Sequence, residues 1–209
     1  MEFWRLDVAS VNDLAWLVKI GRMKRYFYDL DALHRFTLTL DSQPHPIQCQ
    51  YCSQQGQFVS HGFVYKKHRH GERRTVGKRL FCSNRHGRSG CGRTLRLYLA
   101  TELAFLHYTA LHLTAFVRAL LEGSAIQHAY RTATQTAEPR NAYRWLDRLQ
   151  GKLVAYRARL KTPYPQPVGQ FTAKNKQRHI LLSTLRMLLS TLGESACAQI
   201  QQRTQTAFI

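Results

Sequence analysis

From residue 103 the apolar positions fall into a helical rhythm. Leu103, Leu106, Ala110, Leu113, Val117 and Leu120 recur at alternating three- and four-residue steps, which places them on one face of an amphipathic helix. The helix is expected to stop near Gly123, where a glycine can close the C-terminus. Ser124 then caps a short helix carrying Ala125, Ile126, Ala129, Tyr130 and Ala133. Thr134 to Glu138 reads as a turn, and Pro139 suits the first turn of a third helix. On that helix Ala142, Trp145, Leu149, Leu153, Tyr156 and Leu160 share one face. Asn141, Arg144, Arg148, Lys152 and Arg159 lie opposite, with Arg140 and Tyr143 near the N-terminal end. Helix, short helix, turn and longer basic helix is the plan of a helix-turn-helix.

Upstream the period shortens to two. Gln57–Tyr65 and Lys78–Phe81 are β-prone, joined by a polar loop, Lys66 to Gly77, too basic for a core. Thr94–Leu99 alternates apolar and polar residues and closes an expected three-stranded sheet. Leu14, Leu17, Val18, Met23, Phe27, Leu30 and Leu33 have helical spacing, whereas Phe36–Leu40 alternates like a strand. Prolines at 44 and 46 mark a linker, and those at 163, 165 and 167 mark a clearer one with an extended, semi-rigid character. Leu181, Leu182, Leu185, Leu188, Leu189 and Leu192 form a further amphipathic stripe, and Ser195 to Phe208 a possible last helix.

The expected class is α+β, mostly α. Its parts are an ordered N-terminal segment (1–46), a cysteine ribbon (47–100), the helix-turn-helix (101–161), a Pro-rich linker (162–172) and C-terminal helices (173–209).

Charge changes the picture. The chain has 209 residues and a formal net charge of +19, but the excess is not spread evenly. Residues 1–59 balance six basic against six acidic groups, while 60–100 carry eleven Lys/Arg and one acid, Glu72. A second excess lies in 131–161, with eight basic groups and two acids. Two basic blocks around a nearly neutral apolar stretch make an electrostatic footprint for a polyanion, nucleic acid above all. The most apolar window, Leu103 to Leu121, contains His107, His112 and Arg118, which argues against a membrane span. No signal-peptide pattern opens the chain, so the thiols are expected to be reduced in a cytoplasmic setting.

Four cysteines sit inside the first basic block. Cys49-Gln-Tyr-Cys52 is a tight two-residue spacing that lets two thiolates reach one tetrahedral ion. Cys82 and Cys91 supply a second pair about thirty residues on, with eight residues between them. Gly87 and Gly90 lend that wider loop its flexibility. Two knuckles flanking a β-hairpin describe a zinc ribbon with one structural Zn2+. His86 or His70 stands as an alternative to one thiolate. A catalytic zinc needs an open position and a general base; the only nearby acid is Glu72, so the ion is read as structural. Cys197 is left over, as a small buried apolar side chain.

The polyanion contacts are expected from both blocks. In the ribbon they are Lys66, Lys67, Arg73, Arg74, Lys78, Arg79 and Arg93. On the third helix Arg140, Asn141, Tyr143 and Arg144 sit where a recognition helix meets base edges, since Arg suits guanine and Asn suits adenine. Arg148 and Lys152 would hold phosphates. Phe63, Tyr65, Phe81 and Tyr98 interleave with ribbon cations, either as a stacking platform for single strands or, in the plainer reading, as cross-strand packing. Trp145 is expected in the core.

The paired-cysteine ribbon, Ser60-His61-Gly62 after the first knuckle, Cys91-Gly92-Arg93-Thr94 at the second and a following helix-turn-helix resemble the short zinc-ribbon proteins of bacterial insertion sequences. The resemblance covers roughly residues 47–160. It implies binding to terminal inverted repeats and repression of the element's promoter, on the bacterial nucleoid. The twelve acids form no constellation that could hold two metal ions, and nucleophile or phosphate-cradling motifs are absent. The expectation is a non-catalytic binder of double-stranded DNA acting as regulator or terminal-repeat binder. Alternatives are an accessory subunit whose terminal helices recruit a transposase or recombinase, or dimerise, and an RNA-binding zinc protein.

Overall fold

A computed structural model describes residues 25–42, 47–67, 72–104, 106–136, 138–160 and 173–209. The chain divides into two units, Met1–Leu99 and Ala100–Ile209. Each has its own core, and no residue is shared between the two cores. The sheet and the helices make the fold mixed α/β, as the two sequence periods implied. Residues 1–24 and both proline linkers (43–46, 161–172) lie outside the described residues.

The first unit is a four-stranded sheet with one helix on it. The elements are β1 (Tyr26–Phe27), α1 (Leu30–Ser42), β2 (Phe58–Lys67), β3 (Arg73–Cys82) and β4 (Thr94–Leu99). Their order across the sheet is β1-β4-β3-β2, with β1 parallel to β4 and the other pairs antiparallel. The segment read as separate from the ribbon therefore supplies an edge strand and the covering helix. Phe36–Leu40, expected to be a strand, is helical. Its 30–42 spacing decides this, because Leu33, Phe36, Thr37 and Leu40 fall on one helix face against the sheet. Asp29 starts that helix, accepting the Ala32 N–H at 2.7 Å.

Alternation along β3 and β4 sorts their side chains. Val76, Leu80, Cys82, Leu95 and Leu97 are buried, and Leu80, Cys82, Leu95 and Leu97 share a core with Leu33 and Leu40 of α1. Arg79, Arg96 and Thr94 are exposed, and the period of two puts them on the opposite face. The hairpin is longer than the sequence suggested. Lys66, Lys67 and Arg73 to Gly77 belong to the strands and not to a loop, since long basic side chains at the end of a ladder can reach solvent from either face. Gly77 is required at its position: a Cβ there would lie 1.9 Å from Leu97 O.

The second unit is helical: α2 (Ala110–Leu121), α3 (Ile126–Thr134), α4 (Pro139–Gly151), α5 (Leu153–Leu160), α6 (Ala173–Leu192), a 3-10 turn (Gly193–Ser195) and α7 (Ala196–Thr204). Its core centres on an aromatic group. The Trp145 ring meets Tyr108, Phe116 and Tyr130 edge-on at 5.2, 5.5 and 5.1 Å between centroids. Leu181, Leu185, Leu188, Cys197 and Ile200 close the core from the C-terminal helices.

Three local expectations change. The first helix begins at Ala110 and not near Leu103, because Thr109 and His112 bond reciprocally there: Thr109 N–H donates to His112 Nδ1 at 3.3 Å, with the hydroxyl 2.8 Å from the same nitrogen. Leu103 still reaches the core from the preceding irregular stretch. Ser124 does not cap α3, whose N-cap is Ala125. Instead the Ser124 N–H bonds Ala119 O at 2.9 Å beside left-handed Gly123, ending α2. The long basic helix is also two helices, broken at Lys152, whose N–H turns to Arg148 O and Leu149 O. Among the described residues no helix is long and apolar enough to cross a membrane.

Candidate metal centre and basic surfaces

Cys49, Cys52, Cys82 and Cys91 come together. Their sulfurs all lie within 4.8 Å of one another, with Cys49–Cys91 at 3.8 Å and Cys52–Cys82 at 3.7 Å. An ion bound tetrahedrally at about 2.3 Å from four sulfurs sets its S···S edges near ~3.8 Å. The donor set therefore fits one thiophilic metal ion, and no histidine joins it among the described residues. His86 is exposed, and His70 lies outside the described residues.

Local backbone builds each half of the site. In the first, left-handed Ser53 donates its N–H to Cys49 O at 2.8 Å, and Tyr51 N–H points at Cys49 Sγ at 3.5 Å. In the second, Cys82 ends β3 and Cys91 leads into β4. The eight intervening residues resolve into a tight turn with an inserted lobe. Gly90 N–H bonds Ser83 O at 2.8 Å and Gly92 N–H bonds Cys82 O at 2.9 Å, so residues 84–89 loop out from a closed base. Gly90 permits the closure, because a Cβ there would lie 2.3 Å from Ser83 O. The lobe is pinned by Arg88, which donates to Gly56 O at 3.1 Å, and by Ser89 N–H on Gln57 Oε1 at 3.0 Å.

The thiols are not alike. A hydrogen bond from the Gln54 backbone pulls Cys52 down to about 7, whereas burial pushes Cys82 up to about 12. A metal bound here would displace thiol protons and join segments about thirty residues apart, which couples its binding to the fold of the sheet. Cys197 is a separate case. It is buried in the helical unit, accepts from the Thr114 hydroxyl at 3.5 Å, and burial raises it to about 12.

The basic side chains fall into distinct places. Cross-strand register sets Arg79 opposite Arg96, Lys66 opposite Arg74 and Lys67 opposite Arg73. Arg73 lies 3.8 Å from the Tyr65 ring centroid, Arg85 5.8 Å from Phe81 and Arg93 4.8 Å from Tyr51. Lys78 faces the other way: its ammonium donates to Thr37 Oγ1 of α1 at 2.8 Å and sits over Phe63. On α4, Arg140, Tyr143, Arg144 and Arg148 are exposed, while Asn141 and Lys152 are half-buried. Asn141 Oδ1 lies 3.5 Å from Arg144 Nη1. Ala142, Trp145 and Leu149 are buried beneath them.

Arg85 and Arg96 were not among the sequence candidates. Arg96 could have been found by pairing Lys78–Phe81 with Thr94–Leu99, but the register that sets it against Arg79 is visible only in the sheet. In comparisons with known proteins, no family model, no curated protein and no solved structure matches this chain.

Proposed function

We propose that this protein is a non-catalytic, sequence-specific binder of double-stranded DNA from a mobile element or phage, acting as regulator or terminal-repeat binder. One structural Zn2+ would be held by Cys49, Cys52, Cys82 and Cys91, keeping β3 and β4 in register. The reading of α3 and α4 as a helix-turn-helix is carried by one observation. α4 buries Ala142, Trp145 and Leu149 and turns Arg140, Tyr143, Arg144 and Arg148 outward, directly after a short helix and a left-handed turn at Gln135.

In this reading Arg140 and Arg144, with Asn141 beside them, meet base edges, and Arg148 and Lys152 approach phosphates. Lys78 contributes through α1 and not by direct contact. The test is quantitative binding to a selected cognate duplex and to random duplex across a salt series. Arg144→Ala should cost about 1–3 kcal/mol on the cognate site and little on random DNA. Lys152→Ala should weaken both alike and lower the salt slope by roughly one. Equal losses on both duplexes for Arg144→Ala would remove α4 as the reader, and a flat salt response would remove nucleic acid as the partner. Zinc at one per chain by elemental analysis checks the cofactor.

A second reading, an accessory subunit recruiting a recombinase, is favoured by two exposed apolar side chains of the helical unit, Leu111 at 66% and Val154 at 71%. DNA binding that requires an added protein partner would select it.

A further inference from the structure

The sequence treats the ribbon cations as one block, but the sheet separates them. Arg79 and Arg96 are directly opposed on neighbouring antiparallel strands, both exposed and both on the face away from α1. Like charges directly opposite on a sheet are destabilising. The same opposition recurs twice at the hairpin tip, Lys67 against Arg73 and Lys66 against Arg74. Glu72 is the only acid between residues 60 and 100. Three like-charge pairs face one another across one small sheet, which concentrates positive charge where a polyanion would be favoured.

We infer that the sheet face opposite α1, centred on Arg79 and Arg96, holds the sugar–phosphate backbone of duplex DNA without reading sequence. The inference rests on the nucleic-acid reading above and assigns a division of labour within it. The aromatic rings argue for phosphates over bases. A stacking platform needs bare ring faces, yet Tyr51 carries Arg93, and Phe81 has Arg85 on one ring contact and His61 at 5.6 Å on another. Rings used this way hold guanidiniums in place, and a guanidinium fork suits phosphate bidentately. The irregularity between Gly77 and Thr75 turns Arg73 onto the Lys78 face, beside Tyr65 and Phe63, and brings Arg74 with its partner Lys66 to the face of Arg79 and Arg96, so this face presents two cation pairs and not a single point. The metal ties this face together, because Cys82 ends the strand carrying Arg79 and Cys91 leads into the strand carrying Arg96.

The test uses the full-length, zinc-loaded chain and anisotropy titrations with a short random-sequence duplex, the matching single strand and a selected cognate duplex. Arg79→Gln with Arg96→Gln should lower affinity for the random duplex roughly 60-fold at about 0.1 M salt and reduce the salt slope by roughly two. Zinc content should stay at one per chain and thermal stability should hold or rise. Arg79→Lys with Arg96→Lys should keep the slope. Arg96→Glu, which places an acid opposite Arg79, should raise the melting temperature of the sheet while abolishing its DNA contact. The cognate-to-random ratio should survive the Gln pair and fall in Arg144→Ala.

An unchanged slope in the Gln pair would overturn the inference while leaving DNA binding intact. So would loss of zinc or of fold in that variant, which would make the arginines structural. Tighter binding of the single strand would overturn the choice of duplex. No duplex binding by the unaltered chain would instead refute the function proposed above.

Discussion

The sheet unit and the helical unit carry positive charge in opposite ways. In the sheet, cations face one another across the strands, Arg79 against Arg96 and Lys67 against Arg73, on a scaffold whose core is small and whose four thiols converge at one end. In the helical unit the cations of α4 lie on a solvated face behind a core of interlocked rings around Trp145. Like charges are set face to face in the first fold and spread along a solvated helix face in the second. A small sheet gains from an external source of stability, and one ion held by the four converging thiols would provide a strong one. A helix with a buried aromatic face can carry arginines at little cost, because solvent screens them.

The largest effect should come from taking away that external source. Cys82 is fully buried at the junction of β3 and the thiol cluster. Cys82→Ser, or chelation of the unaltered chain, should abolish the dispersed amide signals of the sheet while helical circular dichroism persists. Thiol labelling at pH 8 gives a second readout. The metal-loaded chain should protect all five cysteines. The chelated chain should expose the four of the cluster and still protect Cys197, whose thiol burial holds protonated near 12. Labelling of Cys197 together with the other four would mean that the two units unfold as one, and the comparison would fail.

Trp145→Ala is the counterpart in the other unit. Removing a buried aromatic costs about 3–5 kcal/mol, and this ring meets three others edge-on. Chemical denaturation should show the helical transition moving to lower denaturant while metal content and the sheet signals stay as they were. Loss of metal in this variant would show that the sheet depends on the helices.

These expectations draw on features of unequal visibility in the sequence. The cysteine quartet was legible because thiolate chemistry fixes residue type and spacing together. The buried face of α4 was legible too, because Ala142, Trp145 and Leu149 keep a strict helical interval. Phe36–Leu40 misled, since Phe-Thr-Leu-Thr-Leu satisfies both a period of two and, with Leu33, a helical face. Only the sheet beneath it selects the helix. The start of α2 was hidden for a related reason: Leu103 and Leu106 keep the apolar rhythm, but Thr109 and His112 close a cap that no periodicity reports. The opposition of Arg79 and Arg96 was the least visible, because strand register is a tertiary property.

Gly77→Ala should have an intermediate effect. The added Cβ would meet Leu97 O at 1.9 Å, so β3 and β4 must separate where they carry Arg79 and Arg96. Forcing a side chain into an incompatible backbone position costs more than about 1 kcal/mol. The sheet melting temperature should fall, and DNA affinity should fall with it if the paired arginines act together. Wild-type affinity in a destabilised sheet would show that each arginine contacts phosphate on its own.

The smallest effect tests the claim that charge is indifferent in the helical unit. Arg118 on α2 and Glu194 in the 3-10 turn form a short ion pair, 2.8 Å between Nη2 and Oε1, but their side chains are 50% and 67% exposed. Thr114, one turn before Arg118, makes longer bonds to Glu194 O at 3.3 Å and to Cys197 Sγ at 3.5 Å, and is buried. Distance alone ranks the ion pair first. Burial reverses the order, since exposed pairs are worth little after screening and side-chain ordering, whereas a hydrogen bond made by a buried hydroxyl contributes about 1 kcal/mol. Arg118→Ala should therefore shift stability by no more than ~0.5 kcal/mol and lose even that in high salt, while Thr114→Val should cost about 1 kcal/mol at any ionic strength. The reverse ranking in denaturation curves would mean that surface charge does support the helical fold, and the contrast with the sheet would have to be redrawn around its four-thiol cluster alone.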